Sequence, residues 1–371
     1  MKMLLAVCIA CLAGVASASP DAPRVLFSED ASTTEARGLS AKLEALGASR
    51  FSNFPYARQV AGHTFVYFSQ LKTGVHGKGS IPVVAVRPRG SDTWSFDVLF
   101  DREGKPNAEL LGRVERLGVT KDAPLVLREY ALSGYPRVQF RALRPAPGEL
   151  RAWGAVEYGE AEATYFRTAY DKDKSWLIES RDLSGPWKER TRGDGAPCGP
   201  IARQDGLQFS EAAVAKIGPA RWTALIREDA GTARKERALY QAESLDNACT
   251  WSRPQRLGDG TQPNLVRVAT ADGAARLVLC VGDRTAKGET AEVGIQCRAS
   301  SVIGGSTPRQ GLSWGPPRMI YKSTSGSDLG QPSSVQVDGD TIETFFYADR
   351  GLGTKTDILV VRHQVADLVL P

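Results

Sequence analysis

The segment Asp328-Leu-Gly-Gln-Pro-Ser-Ser-Val-Gln-Val-Asp-Gly-Asp-Thr-Ile-Glu-Thr-Phe-Phe-Tyr347 reads as a short strand, an Asp-Gly turn and a second strand ending in aromatics, and weaker copies of it recur upstream. Gln262-Pro-Asn-Leu-Val-Arg-Val precedes Asp272-Gly and Arg276-Leu-Val-Leu-Cys280, while Cys198-Gly-Pro-Ile-Ala-Arg precedes the strand-like Trp222-Thr-Ala-Leu-Ile-Arg227. A tryptophan closing a polar turn marks the copies a second time. Ser244 to Trp251 is the fullest version; Ser180 to Trp187 keeps the Ser, Asp and Trp, Thr307 to Trp314 keeps the Gly and Trp, and Arg87 to Trp94 keeps the Thr-Trp end. In such a hairpin Asp and Ser oxygens accept backbone N–H bonds and the indole plugs between sheets. Pro136 to Trp187, Pro200 to Trp251 and Pro263 to Trp314 each span 51 positions. One strand pair repeated at a fixed period predicts an all-β chain folded as a β-propeller.

Pro55 to Trp94 is a shorter unit and Pro332 opens a last one, so the anchors mark five units directly. The chain between Trp94 and Pro136 is extra. Its Leu110, Val114 and Leu117 fall at helical spacing, which fits an inserted helix near 106–120 or part of a divergent sixth blade. The expectation is six four-stranded antiparallel blades in a single domain, 19–371, with five blades as the alternative. Arg24-Val-Leu-Phe27 is a candidate to complete the short final unit and remove its open edge.

Residues 1–18 combine a basic start at Lys2, an apolar stretch from Met3 to Val15 and the small-residue exit Ala16-Ser17-Ala18, the pattern of a secretory signal. No later stretch approaches the roughly 20 apolar residues of a spanning helix, so a soluble exported monomer without a membrane span is expected. The formal charge of +5 includes Lys2, and no Lys/Arg block with interleaved aromatics occurs, which excludes nucleic acid as a partner class. Cys198, Cys249, Cys280 and Cys297 follow the signal and allow three pairings in an oxidising compartment. A cross-strand Cys280–Cys297 bridge is preferred, because the two flank the turn near Lys287-Gly288 about equally. Metal ligation is the weaker reading, as no CxxC or HxxxH spacing exists. No cofactor or metal is expected.

The order of these elements resembles the sialidase-like superfamily of propellers with Asp-box repeats. The resemblance is best from Arg227 to about His363 and includes the box ending at Trp251, Gln262-Pro-Asn-Leu, Val281-Gly-Asp-Arg284, and Asp328-Leu-Gly-Gln-Pro-Ser-Ser-Val. Phe54-Pro-Tyr-Ala, Phe65-Val-Tyr-Phe and Val75-His-Gly-Lys-Gly-Ser80 look like the first blade of that family. The resemblance implies a glycoside hydrolase acting on an extracellular glycan, or a glycan-binding propeller without turnover. Two departures argue against standard sialidase chemistry. Where sialidases open the first blade with an arginine, this chain reads Ser52-Asn-Phe-Pro55, and where they carry a nucleophilic tyrosine it reads Pro332-Ser-Ser-Val335.

Strand parity locates a site without help from the family. In a four-stranded antiparallel blade the first strand starts, and the second ends, on one face, while the turn between strands three and four lies opposite. The tryptophan turns therefore mark the back. The front collects Asn53, Gln262 and Gln331 with Gln70 to His76, Arg227-Glu-Asp229, Asp283-Arg284 and Tyr347-Ala-Asp-Arg350. Guanidinium forks and amides suit ring hydroxyls and carboxylates, and glycoside hydrolysis needs a proton donor with a second carboxylate or nucleophile. The candidate catalytic residues are His76, Asp283, Asp328 and Tyr347; the candidate substrate-binding residues are Arg227, Arg284, Gln331 and Arg350.

Overall fold

The computed structural model describes residues 20–28, 34–48, 51–72, 80–100, 105, 107–119, 137–140, 148–159, 163–171, 174–182, 186–229, 237–270, 273–284, 292–303, 311–324, 328–349 and 355–369. After β1 (Arg24–Phe27) and helix α1 (Thr34–Ala45), blade I comprises β2 (Ser52–Val60), β3 (His63–Leu71), β4 (Ser80–Arg87) and β5 (Ser95–Val98). Helix α2 (Ala108–Arg116) follows. In blade II, β6 (Arg137–Phe140) lies beside β7 (Gly148–Gly159), then β8 (Thr164–Tyr170), β9 (Ser175–Ser180) and β10 (Lys188–Glu189). Blade III is β11 (Phe209–Lys216), β12 (Trp222–Glu228), β13 (Ala238–Ser244) and β14 (Gln255–Asp259); blade IV is β15 (Thr261–Ala269), β16 (Ala275–Asp283), β17 (Gly294–Ala299) and β18 (Arg318–Lys322). Blade V is β19 (Leu329–Asp338), β20 (Thr341–Ala348) and β21 (Asp357–Gln364), completed by β1 pairing antiparallel with β21.

The described residues form five blades, the alternative to the six expected first. The described chain between Trp94 and β6 carries α2. Asn107 caps that helix by accepting from the Glu109 and Leu110 amides. Its stripe of Leu110 and Val114 packs on Phe65, Tyr67, Val84 and Val86 of blade I. Buried Asp97 of β5 anchors both helices, accepting from Lys42 of α1 at 3.1 Å and from Arg113 of α2 at 2.5 Å. The outer edge of blade I is covered in this way.

Blades hold together through strands that are apolar on both faces. In β20, Phe345 and Tyr347 point to the core shared with blade I, whereas Ile342, Phe346 and Ala348 point to the core shared with blade IV, as the two-residue period of a strand requires. One ion-pair cluster crosses the ring-closing junction. Glu343 of β20, fully buried, accepts from Arg87 of blade I at 2.8 and 2.6 Å and from Arg362 at 2.8 Å.

The turns at the back follow their sequence pattern. Trp94, Trp187, Trp251 and Trp314 each lie between the third and fourth strands of blades I to IV. In blade III the Ser244 hydroxyl accepts from the Ala248 amide, and the Asp246 carboxylate accepts from the Cys249 and Thr250 amides and the Thr250 hydroxyl. Burial pushes that carboxyl up, but the bonds from Thr250, Ser244 and Cys249 outweigh it and hold Asp246 down at about 2. Disulfides join Cys198 to Cys249 and Cys280 to Cys297.

Candidate functional site

The inner strand of every blade carries a register break near its front end. Two residues interrupt the pairing at Phe54-Pro55 in β2, Ser210-Glu211 in β11, Gln262-Pro263 in β15 and Gln331-Pro332 in β19, and three interrupt it between Trp153 and Glu157 in β7. Such bulges re-aim side chains. Phe54, Gln262 and Gln331 hold φ values of 59°, 56° and 45°. Left-handed backbone in a residue other than glycine costs about 1–3 kcal/mol and persists where surrounding structure enforces it. These positions also correct the repeat. Pro55, Pro263 and Pro332 are equivalent, but Pro200 lies in the loop before β11, where Glu211 occupies the proline position; Pro136 lies outside the described residues.

The bulges of blades IV and V are stitched by one guanidinium. Arg284, just beyond β16, donates from Nε to the Leu329 carbonyl at 2.7 Å and from Nη2 to the Tyr347 hydroxyl at 2.6 Å and Gln262 Oε1 at 3.2 Å. Gln262 Oε1 also accepts from the Gln331 amide at 2.8 Å. Gly330 makes this approach possible: a Cβ there would stand 1.9 Å from Gln262 Oε1. Tyr347 is fully buried, with its ring edge-on to Phe54 at 5.8 Å. Burial, opposed by the Arg284 charge and reinforced by Asp328, pushes the phenol up to about 12, so Tyr347 is neutral.

Blade III contributes a second cluster. Arg227 of β12 donates from Nη1 to Glu211 at 2.5 Å and from Nε to Asp229 at 2.8 Å, and Arg237 lies 3.3 Å from Asp229. Burial lifts the Glu211 carboxyl above the ordinary range, although Arg227 and Arg284 pull it down. Burial acts against the Arg227 charge as well, but Glu211 and Asp229 prevail and hold it as a cation. Arg284 acts on Glu211, and Glu211 on Tyr347, so the two clusters share one electrostatic environment.

Of the expected site residues, Arg284 and Tyr347 meet directly, Gln331 joins them through its backbone amide on Gln262, and Asp328 lies close enough to raise the Tyr347 phenol. Arg227 stands with the blade III carboxylates. Asp283 ends β16 beside Arg284 and is buried. His76 and Arg350 lie outside the described residues. Sequence reasoning missed Glu211, because Ser210-Glu211 lacks the proline that marks the bulges of blades I, IV and V; its equivalence to Pro263 and Pro332 shows only in the register break they share.

No family model matches this sequence, and no curated protein does. Solved structures do resemble it. A protein of unknown function from Dyadobacter fermentans is 14% identical with a TM-score of 0.59, covering 93% of this chain and 98% of that one. The intramolecular trans-sialidase of Ruminococcus gnavus is 10% identical with a TM-score of 0.55, covering 88% and 97%. The NanB sialidase of Streptococcus pneumoniae is 13% identical with a TM-score of 0.45 over 81% of this chain, which spans only 37% of that longer protein. At these identities the likeness speaks to architecture alone. Five antiparallel blades closed by the N-terminal strand, matched over nearly the whole chain, make the fold a β-propeller, an architecture shared with these structures.

Proposed function

We propose that this protein is an exported glycoside hydrolase acting on a glycan at the front of the propeller. One observation carries the reading: Glu211, buried on a bulged inner strand, has a carboxyl raised by burial and shares its surroundings with Arg284 and Tyr347. A glycosidic bond breaks when a carboxyl that still holds its proton delivers it to the leaving oxygen while a second group assists at the sugar carbon. Glu211 takes the first role, and Asp229 and Asp328 are the carboxylates available for the second. Gln262, Gln331 and Arg284 orient the ring hydroxyls. Two disulfides support an oxidising compartment, and no helix among the described residues is long and apolar enough to cross a membrane. The trans-sialidase of the same fold adds support for a glycan as ligand.

A second reading is glycan binding without turnover. It is favoured by the complete burial of Tyr347, which leaves the phenol no surface from which to attack a sugar. Incubating the purified protein with aryl sialosides, uronides and neutral glycosides separates the two. Released phenol that disappears in Glu211→Gln supports hydrolysis. Binding without release supports the second reading, and neither binding nor release contradicts both.

A further inference from the structure

The chemistry of the front face discriminates between sugars. Resting on the glycan reading above, we infer that the site takes a neutral, hydroxyl-rich glycan and rejects acidic sugars.

The two arginines expected to grip a carboxylate are already engaged. Arg227 makes ion pairs with both Glu211 and Asp229, the geometry a substrate carboxylate would otherwise occupy. Arg284 spends Nε and Nη2 on Leu329, Tyr347 and Gln262, which leaves Nη1 uncommitted. Around it the described residues bring Asp328 and Glu211, both of which act on the Tyr347 phenol, and Asp229, which acts in turn on Glu211. An acidic sugar entering this space would meet the carboxylates of Asp328 and Asp229, with Arg227 already engaged and Arg284 Nη1 left to answer them. Like charges placed face to face reject a ligand more effectively than missing contacts do.

An unpaired group points the same way. Gln331, half-buried on the strained bulge of β19, has an Oε1 with no hydrogen-bond partner among the described residues. An orphaned acceptor needs a donor. A sugar hydroxyl can donate to Gln331 and accept from Arg284 Nη1, whereas a carboxylate only accepts. Tyr347, neutral at any physiological pH, adds no charge.

The test is calorimetric titration of the whole protein with two sets of probes of matched length: neutral gluco-, xylo-, arabino- and galacto-oligosaccharides, and acidic sialyl- and galacturonyl-oligosaccharides. The expected result is binding of at least one neutral probe about tenfold or more tighter than any acidic one. Its affinity should stay within about twofold between roughly 0.05 and 0.5 M salt, since no ion pair with the ligand is there to be screened. Acidic probes bound as tightly as neutral ones, or with affinity that collapses in salt, would overturn the inference and leave the glycan reading standing. Failure of every probe to bind would instead remove the glycan reading, and the inference with it.

Discussion

Arg284 donates from Nη2 to the Tyr347 hydroxyl at 2.6 Å while its Nε holds the Leu329 carbonyl at 2.7 Å, so one side chain of blade IV fixes both a ring and a stretch of backbone in blade V. That arrangement depends on a planar fork, which an ammonium cannot supply. Arg284→Lys should therefore weaken glycan binding about tenfold or more, with the charge retained. Calorimetric titration alongside a melting curve checks this; unchanged affinity in a folded variant contradicts the role given to Arg284.

Gly330 lies where β19 passes Gln262, and a methyl group there would collide with Oε1 at 1.9 Å. Gly330→Ala should displace Gln262, free the Gln331 amide and lower stability by about 1–3 kcal/mol. Chemical denaturation measures the stability. Wild-type stability would mean that the close approach does not constrain the bulge.

Glu343 is the buried carboxylate of the junction where the ring closes, with Arg87 on the neighbouring blade. Removing Glu343 strands the buried Arg87, so Glu343→Ala should cost about 3–5 kcal/mol in urea denaturation, and Arg87→Ala less, because Arg362 still reaches the carboxylate. Burial raises the Glu343 carboxyl, but Arg87 and Arg362 overcome it and hold it below its ordinary value. Its folded pKa lies below the unfolded one, so the stabilisation is present above about pH 4.3 and is lost as pH falls through the folded value. Glu343→Gln should flatten that acid limb.

His363 adds an acid sensitivity of its own. Buried in the core shared by blades IV and V, with Nε2 at 2.9 Å from the Thr344 hydroxyl, it is pushed down to about 4 by burial. The unfolded chain takes up this proton near pH 6.5 and the folded chain only near 4, so stability falls across that window by on the order of 3 kcal/mol. His363→Gln should reduce the difference between urea midpoints at pH 7 and pH 4.5. An unchanged difference would place the titration elsewhere.

Local features of the fold were legible in the sequence. The tryptophan turns were, because Ser244 and Asp246 satisfy backbone amides a few residues away, and the front-facing positions followed from strand parity alone. Blade number was not: whether the chain around Leu110 and Val114 forms a blade or a helix is decided by the apolar surface of blade I that receives it. Helix α1 carries its buried stripe on Ala36, Leu39 and Leu43, too short and broken by Gly38 to stand out before its packing on Phe27 is known. Glu211 stayed hidden for a similar reason, since its equivalence to Pro263 and Pro332 lies in the pairing of Phe209 with Glu228 and Ala212 with Ile226. The locking of Arg227 by two carboxylates is a matter of side-chain geometry that spacing does not encode.

The central claim is that the bulged front face is where the ligand binds. It is tested most directly by titrating one neutral oligosaccharide into wild-type protein, Gln331→Ala at the front and Arg256→Ala on the exposed outer strand of blade III. The prediction is that Gln331→Ala weakens binding by about tenfold or more while Arg256→Ala leaves it unchanged. Equal affinity in the wild type and Gln331→Ala, with loss in Arg256→Ala, would move the site away from the front and contradict the account.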